Sequence, residues 1–228
     1  MTNEVSALLR LQTWLSPAFP TGGFSYSHGL EFAVEAGLVK DAGTTARWVR
    51  TVLLFGAGRT DGILLAAAWR AETLPDRRAV VELGAALRGT AELAMESTQQ
   101  GAAFLRAVRT GWSHPVLDEW MRAFDAEKIE PVLPVAVGLV CSINRIGLET
   151  VLPLYLQAFA ASLVSAAVRL VPLGQSDGLH ILAMLEPPVM EAARAAETAS
   201  LADIGSATPM VDWASMKHET QYTRLFRS

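Results

Sequence analysis

One long apolar stretch decides the fold class of this chain. Residues 131–170 read PVLPVAVGLVCSINRIGLETVLPLYLQAFAASLVSAAVRL. Two proline-bounded segments within it, residues 132–146 and 151–170, are apolar on nearly every side of a helix. A helix of that kind belongs inside a bundle, where neighbouring helices cover all of its faces. The stretch therefore predicts an all-α protein built around two central helices.

The second central segment also reaches the length of a membrane-spanning helix, because residues 151–168 carry no charge over 18 residues. Gln157, Ser162 and Ser165 interrupt the run, and Pro153 lies near its start. These residues and several alanines lower its hydrophobicity below that typical of a membrane segment. We therefore interpret it as a core helix and expect no membrane association.

Helical spacing of apolar residues continues on both sides of this centre. A first helix carries Leu8, Leu11 and Leu15 on one face and should end before the proline at position 17. Further helices are predicted at residues 26–36, 59–72, 116–124 and 177–198, and at 77–108 as one helix or two joined near Gly89. The chain thus predicts a single-domain bundle of about 8–10 helices over residues 1–199, followed by a linker and a flexible tail over residues 200–228.

Composition excludes several classes of function. The net charge is −4 and no run rich in lysine or arginine occurs, so the electrostatic pattern of a nucleic-acid binder is missing. Apolar residues make up 51% of the chain and charged residues 18%, which is typical of a folded protein with a large core. A single cysteine and the lack of a basic, then apolar, segment at the start favour a cytoplasmic protein.

Motifs for nucleotide and metal binding are absent from the sequence. No Gly-Lys-Ser or Gly-Lys-Thr phosphate-binding motif occurs. The histidines, His28, His114, His180 and His218, are isolated from one another, and Cys141 lies in the middle of an apolar segment. We therefore expect no cofactor and no metal site within one chain. A weaker alternative is a site at a dimer interface, where two copies of one histidine meet.

One trio of residues admits a catalytic interpretation. Ser25, His28 and Glu31 follow one another at intervals of three, so on a helix they would lie along one face. A small hydrolase using Ser25 and His28 is therefore the alternative function, although no nucleophile elbow or oxyanion loop is recognisable. The plainer interpretation is the start of a helix, with Ser25 as its cap. We expect no catalytic residues.

The end of the chain has the residue types of a docking segment. If residues 215–227 form a helix, His218, Tyr222, Leu225 and Phe226 fall on one stripe of it. Tyrosine, phenylalanine and arginine are residues that anchor interfaces. The tail is therefore predicted to bind a partner. The alternative, a tail folded back on its own bundle, stays open.

Three blocks of sequence resemble the UreF family of urease accessory proteins. They are SPAFPTGGFSYSHGLE at residues 16–31, RLVPLGQ at 169–175 and HETQYTRLFRS at 218–228. Residues 204–209 also look like the family, so the resemblance extends over essentially the whole chain, although residues 59–145 match only in helical pattern.

The resemblance implies an all-α, usually dimeric scaffold or chaperone that helps to install nickel in urease and has no cofactor of its own. Members of the family bind the accessory protein UreD, also called UreH, and recruit the GTPase UreG. The complex engages the urease apoprotein, and nickel is thought to pass through it. GTP hydrolysis takes place on UreG.

The resemblance also assigns residues to two partner-binding sites. Contact with UreD is implied for the tail residues His218, Glu219, Gln221, Tyr222, Arg224, Leu225, Phe226 and Arg227. Contact with UreG, or a part in nickel passage near the dimer centre, is implied for Ser25, Tyr26, His28, Glu31, Arg169 and Gln175. For Glu31 and Arg169 a purely structural role at a helix end is an equal alternative.

Overall fold

The computed structural model describes residues 2–228, with side chains described from Glu4 onward. The described residues form helices and no strands, so the predicted all-α, single-domain fold is confirmed. In chain order the α-helices are α1 (Thr2–Trp14), α2 (Leu30–Glu35), α3 (Ala42–Phe55), α4 (Ala57–Arg70), α5 (Leu74–Ala86), α6 (Ala91–Gly111), α7 (Pro115–Glu127), α8 (Leu133–Ile143), α9 (Leu148–Leu170), α10 (Gln175–Thr198) and α11 (Pro209–His218). Two short 3-10 helices cover Gly23–Ser25 and Leu201–Asp203.

The two predicted central helices lie at the core of the bundle. Helix α8 packs along α4, and α9 packs along α10 and also contacts α2, α3 and α4. Glycine is required at the closest of these contacts, because a Cβ atom on Gly138 of α8 would lie 2.4 Å from the backbone oxygen of Leu65 of α4. The core is therefore built from apolar helices whose backbones approach each other closely.

Two stretches are long and apolar enough to cross a membrane by length and composition, namely Ala42–Arg70 and Leu148–Leu170. In their most apolar windows 72% and 50% of the residues, respectively, are buried inside the protein. Core helices pass the same test of length and composition. The second stretch is the segment interpreted above as a core helix, and it packs against four other helices.

Helix α2 begins four residues later than predicted. His28 and Gly29 have φ angles of 57° and 75°, in the left-handed region, so a right-handed helix can begin only after them. A Cβ atom on Gly29 would also lie 2.9 Å from the backbone nitrogen of Ser215 on α11. The turn before α2 is therefore shaped for close contact with the last helix.

The chain end, residues 218–228, is packed on the domain, so the predicted flexibility of the tail is not confirmed. The helix proposed for residues 215–227 is wrong beyond His218, where α11 ends. Phe226 joins Leu30, Ala166 and Ala214 in a hydrophobic cluster. The chain end packs against α2 and α9 and does not form the helix that its residue spacing suggested, because tertiary packing overrides helix propensity.

Candidate interaction site at the chain end

His218 is the centre of a buried ion-pair group. Its Nδ1 lies 2.7 Å from Oε2 of Glu92 on α6, and its Nε2 lies 3.0 Å from Oε2 of Glu31 on α2. The His218 side chain has no solvent exposure and each glutamate side chain is 8% exposed. Each ring nitrogen thus lies within hydrogen-bond distance of one carboxylate oxygen. We call these three residues the histidine clasp.

The clasp also binds the last residues of the chain. The carboxylate of Glu31 accepts the backbone N–H groups of Leu225, at 2.6 Å, and Phe226, at 2.9 Å. Arg224 donates through Nη2 to Oε1 of Glu92 at 2.6 Å. The two buried carboxylates thus face an imidazole ring, a guanidinium and two peptide donors, and hydrogen bonds of this kind make a buried carboxylate tolerable.

A second buried carboxylate group lies one helical turn further along α6. Glu96 Oε1 is 3.3 Å from Nδ1 of His28, and Oε2 accepts the hydroxyl of Ser228 at 2.7 Å. The backbone N–H of Ser27 donates to the carbonyl of Ser228 at 2.9 Å, and that of Arg227 donates to the carbonyl of Ser25 at 2.8 Å. The chain end is therefore bonded along its length to the 25–31 segment.

Arg169 places the sequence block at residues 169–175 against the other two blocks. Its guanidinium lies 3.8 Å from the ring centroid of Phe24 and 4.2 Å from that of Phe226, and Nη1 donates to the carbonyl of Phe24 at 3.0 Å. Burial lowers the pKa of this guanidinium, which nevertheless stays cationic. Arg169 is thus sandwiched between the first and the last block.

The predicted stripe of docking residues is divided between the surface and the interior. His218 is fully buried and Phe226 is 3% exposed, whereas Leu225 is 63% exposed and Tyr222 has the full exposure of an isolated side chain. Phe24 is exposed as well, at 66%. No helix forms beyond His218, and residues 222–225 are all exposed whereas Phe226 and Ser228 are buried. The large apolar or aromatic side chains exposed in these two segments are therefore Phe24, Tyr222 and Leu225.

The remaining predicted site residues lie around this group, with one exception. Tyr26 donates its hydroxyl to Gln99 at 2.7 Å, and burial raises its pKa. Gln221 donates to Glu35 at 2.6 Å. Other members of the predicted set that are exposed or half-buried here are Ser25, Glu219, Arg224 and Arg227. Gln175, by contrast, is exposed at the first turn of α10.

The catalytic interpretation of Ser25, His28 and Glu31 finds no common helix face. Ser25 ends a 3-10 helix and His28 is in a left-handed conformation, so the three residues do not follow one helix. The ring of His28 bonds to Glu96, and Glu31 bonds to His218. The expected cap by Ser25 is not formed, because the N-cap residue of α2 is Gly29. The hydroxyl that accepts the backbone N–H of Glu31, at 3.2 Å, belongs to Ser27.

Among residues 2–228 no three histidine, cysteine, aspartate or glutamate side chains are arranged to hold a metal ion. In the histidine clasp the two glutamates bond to opposite nitrogens of one ring. The group therefore has the geometry of an ion-pair network and not of a coordination shell.

Sequence reasoning missed Glu92 and Glu96, which hold the chain end to α6. Both are buried, at 6% and 9% exposure, in a helix with an apolar face. Buried glutamates are rare unless they are paired. The signal in the sequence was the spacing of four in AELAMES at residues 91–97, which places two carboxylates on one face, although their partners could not be read from it.

Comparison with known proteins agrees with the resemblance seen in the three blocks. Residues 39–186 match the UreF family model. The chain is 49% identical to the urease accessory protein UreF of Bradyrhizobium sp. (strain BTAi1 / ATCC BAA-1182), over 97% of this chain and 92% of that protein. It is also 49% identical to the UreF of Rhodopseudomonas palustris (strain HaA2), over 98% and 94%. The UreF of Granulibacter bethesdensis (strain ATCC BAA-1260 / CGDNIH1) is 48% identical over the same shares.

Proposed function

The chain belongs to the UreF family of urease accessory proteins, and from that premise we propose that it is a non-catalytic scaffold for assembly of the nickel centre of urease. In this role it works in the cytoplasm as a homodimer, binds UreD (UreH) and recruits UreG. It thereby modulates GTP hydrolysis on UreG and engages the urease apoprotein. Nickel is the cargo of the assembly, and this chain contributes surfaces that hold its partners in place.

This proposal rests on two exposed side chains near the chain end whose backbone is held in place by hydrogen bonds. Tyr222 and Leu225 are exposed, while the neighbouring Arg224, Leu225 backbone and Phe226 backbone are bonded to the histidine clasp. Large side chains held on an ordered backbone lose little conformational entropy on binding. Tyrosine is also a frequent hot-spot residue at interfaces. We therefore assign Tyr222 and Leu225 to the contact with UreD.

The surface proposed to bind UreG adjoins the surface proposed to bind UreD. Arg169 contacts both Phe24 and Phe226, so the first block and the chain end share one surface. We assign Phe24, Ser25 and Arg169 to this second contact, with Tyr26, His28 and Glu31 beneath it. Two partners bound to adjoining parts of one surface would influence each other's affinity.

The test replaces the exposed anchors and leaves the clasp intact. Tyr222→Ala with Leu225→Ala should weaken binding to purified UreD by more than about tenfold, the loss expected of hot-spot residues. Leu8→Ala with Leu9→Ala is a matched control, because these α1 side chains are similarly exposed at 50% and 58%. Both proteins should unfold at the wild-type temperature. Wild-type affinity for UreD in the Tyr222/Leu225 variant would remove the assignment.

Substitution is a sharper test than truncation. Deleting residues 216–228 removes His218 and Ser228 and leaves Glu31, Glu92 and Glu96 without the partners they have in the structure. Unpaired buried carboxylates destabilise a protein strongly. Loss of UreD binding after truncation would therefore not separate a missing contact from a disturbed fold.

A further inference from the structure

Three buried polar residues tie the start of α6 to the interior of the bundle. Arg88 lies between α5 and α6, and its Nη1 donates to Oδ1 of Asp61 on α4 at 2.9 Å. The other carboxylate oxygen of Asp61 accepts the hydroxyl of Tyr155 on α9 at 2.8 Å. We call these three residues the core network. None of them takes part in the proposed contacts with UreD or UreG.

The core network is an energetically unfavourable way to fill this part of the interior. The side chains of Arg88 and Asp61 are only 7% and 6% exposed. Two charges taken out of water lose much of their hydration energy, and apolar residues of similar volume often stabilise a fold as well or better. In addition, Nε and Nη2 of Arg88 are covered by protein atoms and have no hydrogen-bond partner among the described residues. The network therefore contributes a fixed direction to the fold more than it contributes stability.

The residues that hold the chain end to α6 lie in the first two turns of that helix. Glu92 is the second residue of α6 and contacts His218 at 2.7 Å, and Glu96, one turn later, accepts the hydroxyl of Ser228 at 2.7 Å. Arg88 precedes Glu92 by four positions. A shift of this helix start by about 1 Å would break both contacts, because hydrogen bonds weaken steeply beyond their normal length.

Apolar packing beneath the start of α6 is interrupted by a cavity of about 160 Å³, which Glu96 and all three residues of the core network line. Side chains that line a cavity lack contacts on that side and support each other less. A second polar contact lies beside Arg88, where the buried hydroxyls of Thr90 and Ser215 are 2.7 Å apart. The start of α6 is therefore held in place by polar contacts at residues 88 and 90.

From this arrangement we propose that the core network positions the histidine clasp and, through it, the surface that binds UreD. The network holds Arg88, Arg88 fixes the first turns of α6, and α6 presents Glu92 and Glu96 to the chain end. The effect on binding rests on the proposed contact with UreD, whereas the effect on the clasp does not. The two effects can therefore be measured separately.

Replacing the whole network by apolar residues separates positioning from stability. The triple variant Asp61→Leu, Arg88→Met, Tyr155→Phe removes the charges together with their hydrogen bonds, so it should unfold at the wild-type temperature or above it. Hydrogen exchange at the amides of Leu225 and Phe226 should nevertheless become at least about tenfold faster, because the chain end opens locally. Affinity for purified UreD should fall by at least about fivefold.

The control lowers stability without changing the network. Val189→Ala on α10 removes buried volume from the main core and not from the cluster that holds Phe226. It should lower the unfolding temperature while exchange at Leu225 and Phe226 stays at the wild-type rate. Wild-type exchange at both amides in the folded triple variant would overturn the proposal. Faster exchange with wild-type affinity for UreD would support the positioning role and would count instead against the UreD contact.

Tyr155→Phe covers the case in which the triple variant does not fold. This variant loses one hydrogen bond to Asp61 and keeps the ion pair with Arg88, so exchange at Leu225 and Phe226 should be about threefold faster. Wild-type exchange at both amides would overturn the proposal. An equal acceleration at the slowest amides of the core would also overturn it, because the network would then serve stability alone.

Discussion

The contact between α4 and α8 and the contact of the chain end with the domain hold this molecule together in different ways. At the first contact, Gly138 brings α8 against the backbone of Leu65, and the surrounding side chains are apolar. At the second, the chain end has no regular structure beyond α11 and is held by the histidine clasp, Arg224 and a few backbone hydrogen bonds.

The difference lies in how far each contact depends on individual partners. Apolar packing is spread over many atoms, so a core tolerates change as long as volume and close contact are preserved. A buried ion-pair network depends on each member, because removing one leaves an uncompensated charge. The core should therefore respond to steric change, whereas the chain end should respond to the loss of single polar atoms.

The largest effect is expected from a change at the core contact. Gly138→Ala places a Cβ atom 2.4 Å from the Leu65 oxygen and 3.0 Å from the Ala68 Cβ, so α8 must move away from α4. Overpacking of this kind costs about 3 kcal/mol of unfolding free energy, measured by urea denaturation. Gly111→Ala is the control, because nothing lies within 4 Å of a Cβ there. Equal stability of the two variants would contradict the role given to Gly138.

A smaller effect is expected from breaking the clasp. His218→Ala leaves Glu31 and Glu92 without the ring between them, and the chain end should detach so that water reaches the carboxylates. Because the carboxylates then become hydrated, the unfolding free energy should fall by only about 2 kcal/mol. This is less than the cost of a charge that stays buried without a partner. Hydrogen exchange should become fast at the amides of Leu225 and Phe226.

The control for the clasp is another histidine. His180→Ala on α10 removes an exposed imidazole and should leave both stability and amide exchange unchanged. If His218→Ala keeps slow exchange at Leu225 and Phe226, the clasp is not what holds the chain end. The apolar packing of Phe226 is then enough to hold it.

The comparison also explains which parts of the molecule could be predicted from sequence. The central helices were predicted at 132–146 and 151–170 and are found at Leu133–Ile143 and Leu148–Leu170. Their signal is local, because apolar residues on all sides of a helix are visible within the segment itself. The start of α2 was missed by four residues, since nothing local marks His28 as left-handed.

Most residues of the polar site at the chain end could be named from the sequence, but the contacts between them could not. The tail residues and Arg169 were named from their motif blocks, yet His218 was expected at the surface. Its partners lie 126 and 187 positions away in the chain, and no periodicity reports a contact at that distance. The same holds for Arg88 and Asp61, which are 27 positions apart and belong to no recognisable motif.

The smallest effect should come from Arg169, where the two kinds of contact meet. Arg169→Lys keeps the charge but loses the flat surface that lies against Phe24 and Phe226, because a lysine ammonium cannot stack on two rings. We expect a loss of about 1 kcal/mol in unfolding free energy, the range of a partly exposed cation–π contact. Arg50→Lys, on the exposed face of α3, should change nothing. If Arg169→Lys is as stable as Arg50→Lys while hydrogen exchange at Phe226 stays slow, the sandwich contributes nothing to holding the chain end, and Arg169 is then left with a role only at the surface that it shares with Phe24.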